Sequence, residues 1–251
     1  MLPIGSRQRL SWIDCVKPNL RRMGVWAFRS LMRSHRVRFA TAVGLLFHLL
    51  CTLMLIRLGE RQDIAAFVYV TGFVPIAILA TVTQGNLFGV DRGATLTALA
   101  LPVSARTFSR LRLSVALLWT LAVMVPGWVV GLIVIGPTFV SIVLMELAFA
   151  FVLCAVAGIF SVFAPSSRAY ARTTGQTMPV TTLVPLNVVS LLGMAGAIKL
   201  ISLLNKAEKG TMLAVACVIA TFLLSVAAIF FVGPLFETRR EQIVDVLKEN
   251  P

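Results

Sequence analysis

The chain is 251 residues long, 58% apolar and only 13% charged, with a mean hydropathy of +0.91. A water-soluble globule cannot hide that much apolar surface, whereas about six spans of about 20 residues would absorb roughly half the chain in a bilayer. Lys and Arg number 23 against 10 Asp and Glu; they lie largely outside the apolar runs, so they read as determinants of membrane orientation and not as a nucleic-acid footprint.

The apolar runs are continuous and rich in Leu, Val and Ala, which points to helices and excludes the short alternating strands of a membrane barrel. Cys15, Cys51, Cys154 and Cys217 form no CxxC pair, and three of them lie inside apolar runs, so neither a disulfide frame nor a metal knuckle is indicated. The basic leader runs to Arg38, too long for the n-region of a cleaved signal peptide, and the first apolar run is long enough to span.

The expected fold is all-α: a polytopic membrane protein with six spans at 39–56, 64–82, 114–135, 140–164, 178–204 and 211–235. Its organisation is a leader at 1–38, a transmembrane domain at 39–235 and a tail at 236–251. Eighteen cations fall on the side of the N-terminus and five, Arg57, Arg61, Lys199, Lys206 and Lys209, on the other. By the positive-inside rule both termini are cytoplasmic. Outer loops at 59–63, 136–139 and 205–210 are short, which leaves the leader, the inner loop at 83–113 and the tail as the parts able to carry structure in water.

In the leader, Leu20, Met23, Ala27 and Leu31 share one helical face opposite Arg22, Arg29, Arg33 and Arg36. This pattern fits a helix lying on the cytoplasmic membrane surface; a charged leader that merely fixes orientation is the alternative. The inner loop reads as two short helices. Asp91 can cap the first, Leu96, Leu99 and Ala100 share its face, Pro102 ends it, and Ser104 can cap the helix that runs on into the third span. Such an apolar knuckle suits either a protein partner or the lipid headgroups.

The run Phe88-Gly-x-Asp-Arg-Gly93 followed by Leu-x-Leu-Pro-Val-Ser104 resembles the inner loop of type-2 ATP-binding-cassette (ABC) exporter permeases. The span count, the basic leader and the short outer loops are similar to that family as well. Where the family often has a Gly-Lys pair after the Leu-Pro-x-Ser element, this chain has Ser109-Arg110. The resemblance implies a permease subunit that pairs with a second copy or a paralogue in the bacterial inner membrane. It also implies that Asp91, Arg92, Gly93, Leu96, Leu99, Pro102 and Ser104 meet a separate ATPase subunit. ATP and Mg would then sit on that partner, with no cofactor on this chain and no enzymatic activity of its own; the chain contains no G-x-x-x-x-G-K-[ST] phosphate loop. Spans two and five border the path in the family, which makes Tyr69, Asn187 and Ser190 candidates for substrate contact, with helix-to-helix glue as the plainer role.

Ionisable groups at membrane depth each need a reason, since insertion scales price them at about 2.5 to 3.5 kcal/mol. Glu146 and Lys199 fall at similar depth in adjoining spans, so the geometry allows an ion pair between them; a structural pair or a snorkelling lysine is the plainer role, and a substrate-gating pair or proton relay the alternative. His48 is expected to hydrogen-bond a neighbouring helix. Pro126-Gly127 with Gly131 predicts a kink and a close packing face in span three. An intramembrane enzyme is disfavoured, because only His35 and His48 are available as bases and Asp91 has no second carboxylate nearby. An ATPase-independent secondary transporter remains the open alternative.

Overall fold

Backbone in hydrocarbon must satisfy its own N–H and C=O groups, and continuous Leu, Val and Ala runs do so as helices. The computed structural model describes residues 20–58, 62–84, 87–88, 95–96, 104–163, 187–189, 192, 195–196 and 210–248. Among them there is no strand. The helices are α1 (Leu20–Arg33), α2 (His35–Leu58), α3 (Gln62–Gln84), α4 (Ala105–Val134), α5 (Val140–Phe163), α6 (Gly210–Thr238) and α7 (Arg240–Lys248), with a 3-10 turn at Pro137–Phe139.

Four of the described helices are long and apolar enough to cross a membrane: His35–Arg57, Ala105–Val134, Val140–Phe163 and Met212–Thr238. The protein is therefore membrane-embedded. The predicted second span lies within α3, of which Gly72–Gln84 is a shorter apolar stretch. The predicted fifth span lies largely outside the described residues; 187–189, 192 and 195–196 are helical.

α5 is central, with 67% of its most apolar window buried inside the protein against 17% for α6. It packs on α3, α4 and α6, and α4 in turn touches α1, α2, α3, α5 and α6. The buried positions of α4 run from Ala105 through Phe108, Arg112, Ala116, Thr120, Met124 and Gly127 to Gly131 at steps of three and four, one continuous face along 30 residues. At 1.5 Å per residue this helix is about 45 Å long, well beyond a hydrocarbon core of about 30 Å. Its length thus exceeds what a span requires, and its first turns carry Arg106, Arg110 and Arg112. Between α4 and α5 the chain reverses at Gly136, whose φ of 82° is open to glycine at little cost.

The packed residues form two cores. One lies at membrane depth and includes Phe73, Leu79, Met124, Phe139, Phe149 and Leu153. The other lies at the opposite end of the bundle from the Gly136 turn: Leu31, Val37, Leu87, Phe88, Phe108, Val162, Phe236, Ile243 and Leu247. Of the α1 face named from the sequence, Ala27 and Leu31 are almost fully enclosed and Met23 is half-buried, and α1 packs on α4. Trp26 meets Phe108 at 5.9 Å and Phe28 meets Trp119 at 5.2 Å between ring centroids, fixing α1 to α4.

Pro234 in α6 illustrates how this end of the bundle is closed. A proline has no N–H, so the Phe230 carbonyl four residues earlier loses its helical donor. Arg110 of α4 supplies one, donating from Nη2 to Phe230 O at 3.1 Å with its guanidinium 4.7 Å from the Phe230 ring centroid. Gly233 leaves the room for that approach, because a Cβ there would lie 2.8 Å from Arg110 Nε.

Candidate functional site

Two polar constellations stand out, and α4 carries a part of each. The first lies within the membrane-depth core. Glu146 on α5 is buried, and its Oε2 lies 3.1 Å from His48 Nε2 on α2. Trp128 on α4 donates its indole N–H to the same oxygen at 2.5 Å. An indole can only donate, so Oε2 is an acceptor in that bond, and the proton of the His48 contact rides on Nε2 or on the carboxyl with the same geometry. Gly72 of α3 faces the other oxygen; a Cβ there would stand 3.0 Å from Oε1. Four helices thus converge on one carboxyl group.

Local structure places each member. Counting from the start of α5 and the end of α4, Glu146 and Trp128 are each six residues in, about 9 Å, and His48 is ten residues from the end of α2, about 15 Å. The His48 ring sits against the bare backbone of Gly127, where a Cβ would overlap it, and one turn further along α4 Phe139 sits on Gly131 in the same way. The packing face predicted at Gly127 and Gly131 is therefore real, and the rings of His48 and Phe139 occupy it. α4 runs unbroken through Pro126. Among the described residues His48 Nδ1, which is buried, has no hydrogen-bond partner. Chemically, the arrangement can hold one proton between His48 and Glu146 in a site screened from water. Among the described residues no cluster of three His, Cys, Asp or Glu could hold a metal ion.

The second constellation is at the end of the bundle away from the Gly136 turn. Thr95 donates its hydroxyl to the Phe88 carbonyl at 2.8 Å, and Arg112, only 1% exposed, donates from Nη1 to Thr95 Oγ1 at 3.3 Å. Phe88 stacks at 4.3 Å on Phe236 and lies 6.3 Å from Phe108, which the Arg112 guanidinium also approaches at 5.8 Å. Both described pieces of the inner loop are thereby tied to α4 and α6. Leu96 is half-buried against this cluster. Ser104 caps α4 as the sequence predicts, accepting from the Thr107 N–H at 3.2 Å and donating to its hydroxyl at 2.7 Å. Ser104→Ala is expected to lower stability by about 1 kcal/mol, measured as a shift of the unfolding midpoint with the helix content unchanged. Arg106 pairs with Glu237 across the helices, but both side chains are half exposed, so the pair adds little.

Of the residues named from sequence, Asp91, Arg92, Gly93, Leu99, Pro102, Ser190 and Lys199 lie outside the described residues. Tyr69 falls within α3, and Asn187 is exposed on a helical stretch. The hydrogen bond expected for His48 is present, and its partner is Glu146; the ion pair that the sequence allows between Glu146 and Lys199 falls on a residue outside those described. Trp128 was not named from sequence. Its signal was available: an indole beside Gly127 in a span, at the same depth as a lone glutamate, has a donor to satisfy in hydrocarbon. No protein-family model, curated protein or solved structure matches the chain.

Proposed function

We propose that the chain is the membrane-spanning permease subunit of an ATP-driven exporter of the ABC type. In this reading it has six spans with both termini cytoplasmic in a bacterial inner membrane. It forms a substrate path together with a second permease copy or a paralogue, and ATP and Mg are bound by separate ATPase subunits. The observation that carries the reading is the inner loop. Its resemblance to the coupling loop of such permeases is joined by a mechanical argument: Phe88 and Thr95 are tied through Arg112 to the inner turns of α4, the helix that touches every other spanning helix described. A push on the loop would then reach the whole bundle, which is what ATP-driven alternation of access requires.

The test is affinity purification of the tagged full chain in mild detergent, beside the variant Arg92→Glu with Leu99→Asp. Both changes fall on the loop and spare Leu96, which packs internally. A soluble ATPase that co-elutes with the parent and falls by about tenfold or more in the variant is the expected result, since a charge reversal and a buried polar group each remove more than 1 kcal/mol of contact. Elution of the folded parent without an ATPase sinks the reading.

One observation favours a second reading, a proton-coupled secondary transporter: the contact of His48 Nε2 with Glu146 Oε2 at 3.1 Å, both side chains buried within the spanning helices. Substrate accumulation in ATP-free vesicles under an imposed pH gradient, lost in Glu146→Gln, is the result that reading requires.

A further inference from the structure

Where α1 turns into α2, a groove of about 430 Å³ opens to the surface, lined by Phe28, Arg29, Met32, Arg33 and Arg38. The three arginines are exposed, and among the described residues none is paired with a carboxylate. One wall is apolar and fixed, because Phe28 is held edge-on to Trp119 of α4. From this point α2 enters as the first helix apolar enough to cross a membrane. Phe39, Leu46, Leu50 and Leu53, all about half exposed or more, follow one another down a single face of it at steps of seven, four and three. The groove therefore presents unpaired cations beside an apolar wall, at the level where a spanning helix meets the headgroups, with an apolar track leading inward. A free phosphate would use only the cations. A phospholipid uses all three features, its phosphate oxygens matching the planar guanidinium forks and its acyl chains lying on the track.

We propose that this groove binds an anionic phospholipid, with the phosphodiester between Arg29, Arg33 and Arg38 and the chains along α2. The proposal rests on the membrane reading and not on coupling to an ATPase, so either can fail without the other. The experiment is native mass spectrometry of the full chain released from detergent, titrated with phosphatidylglycerol or with phosphatidylcholine of the same acyl chains. The parent is expected to hold phosphatidylglycerol about tenfold or more tighter, and the triple change Arg29→Gln, Arg33→Gln, Arg38→Gln to remove that preference. A control with the same loss of charge, Arg57→Gln, Lys206→Gln, Lys209→Gln, is expected to keep it, as is the triple replacement by Lys. If the triple Gln variant does not elute as a folded species, Arg33→Gln with Arg38→Gln gives the same readout at about half the logarithmic effect. The proposal is overturned if the groove variant binds phosphatidylglycerol like the parent, or if the control loses binding equally, which would reduce it to net charge. It is also overturned if inorganic phosphate displaces the lipid at equal concentration, which would make the groove a site for the free anion.

Discussion

Glu146→Ala is expected to lower the stability of the folded protein by about 3 kcal/mol, the largest effect of any single polar change in the described structure. The reason is less the strength of the bonds lost than the state of the groups left behind. An interhelical hydrogen bond in a membrane is worth about 0.6 kcal/mol on average, so the two bonds at Oε2 do not by themselves account for such a figure. Removal of the carboxyl, however, strands the buried Trp128 indole N–H and leaves His48 Nε2 without this partner, at about 1 to 3 kcal/mol for each stranded group. Glu146→Gln keeps a carbonyl oxygen for the indole and a polar group beside His48 and is expected to cost about 1 kcal/mol. Equilibrium unfolding in mixed micelles separates the two. A double-mutant cycle adds a sharper check: Glu146→Ala combined with His48→Ala should cost about 1 kcal/mol less than the sum of the singles, because one stranded group is then gone. Equal costs for Ala and Gln at 146, with an additive cycle, would show that the carboxyl has no special partners.

The helical frame was legible because a bilayer writes a plain rule into sequence. The predicted runs at 39–56, 114–135, 140–164 and 211–235 fall on α2, α4, α5 and α6 with ends displaced by a few residues. The largest displacement is at α4, whose helix begins nine residues before the apolar run, at the Ser104 cap. Hydropathy cannot see that extension, since Arg106, Arg110 and Arg112 interrupt it, but cap chemistry can. The polar partners were harder to read. Neighbouring spans in the chain suggest Lys199 for Glu146, a residue outside those described, and say nothing of His48, 98 positions away, and Trp128, 18 positions away, which both meet it. Depth was readable from each span, but which faces turn toward each other depends on the packing of α2, α4 and α5 together, and nearly uniform apolar spans leave that rotation unspecified. Likewise the inner loop showed its caps and apolar face, whereas the tie from Arg112 through Thr95 to the Phe88 carbonyl joins residues that no periodicity links.

Opposite signs are expected for the same substitution at two glycines. At Gly24 on α1 a Cβ would meet no atom within 4 Å, so Gly24→Ala only removes the conformational freedom of glycine and should stabilise by about 0.5 to 1 kcal/mol. At Gly127 the new methyl falls on the His48 ring. The same helix-propensity gain applies there, but overpacking costs about 1 to 3 kcal/mol, and the ring can escape only by leaving Glu146, which adds a broken bond at a buried carboxyl. The net is a loss of about 2 kcal/mol, measured by the same micellar unfolding. His48→Ala supplies the control, since with the imidazole gone the methyl at 127 has space, and Gly127→Ala should then turn neutral or mildly stabilising. A Gly127→Ala cost that persists unchanged in the His48→Ala background would place the clash elsewhere on α4. Relief of that cost would instead establish that the absence of a side chain at 127 is what lets α2 bring its histidine to the carboxyl on α5.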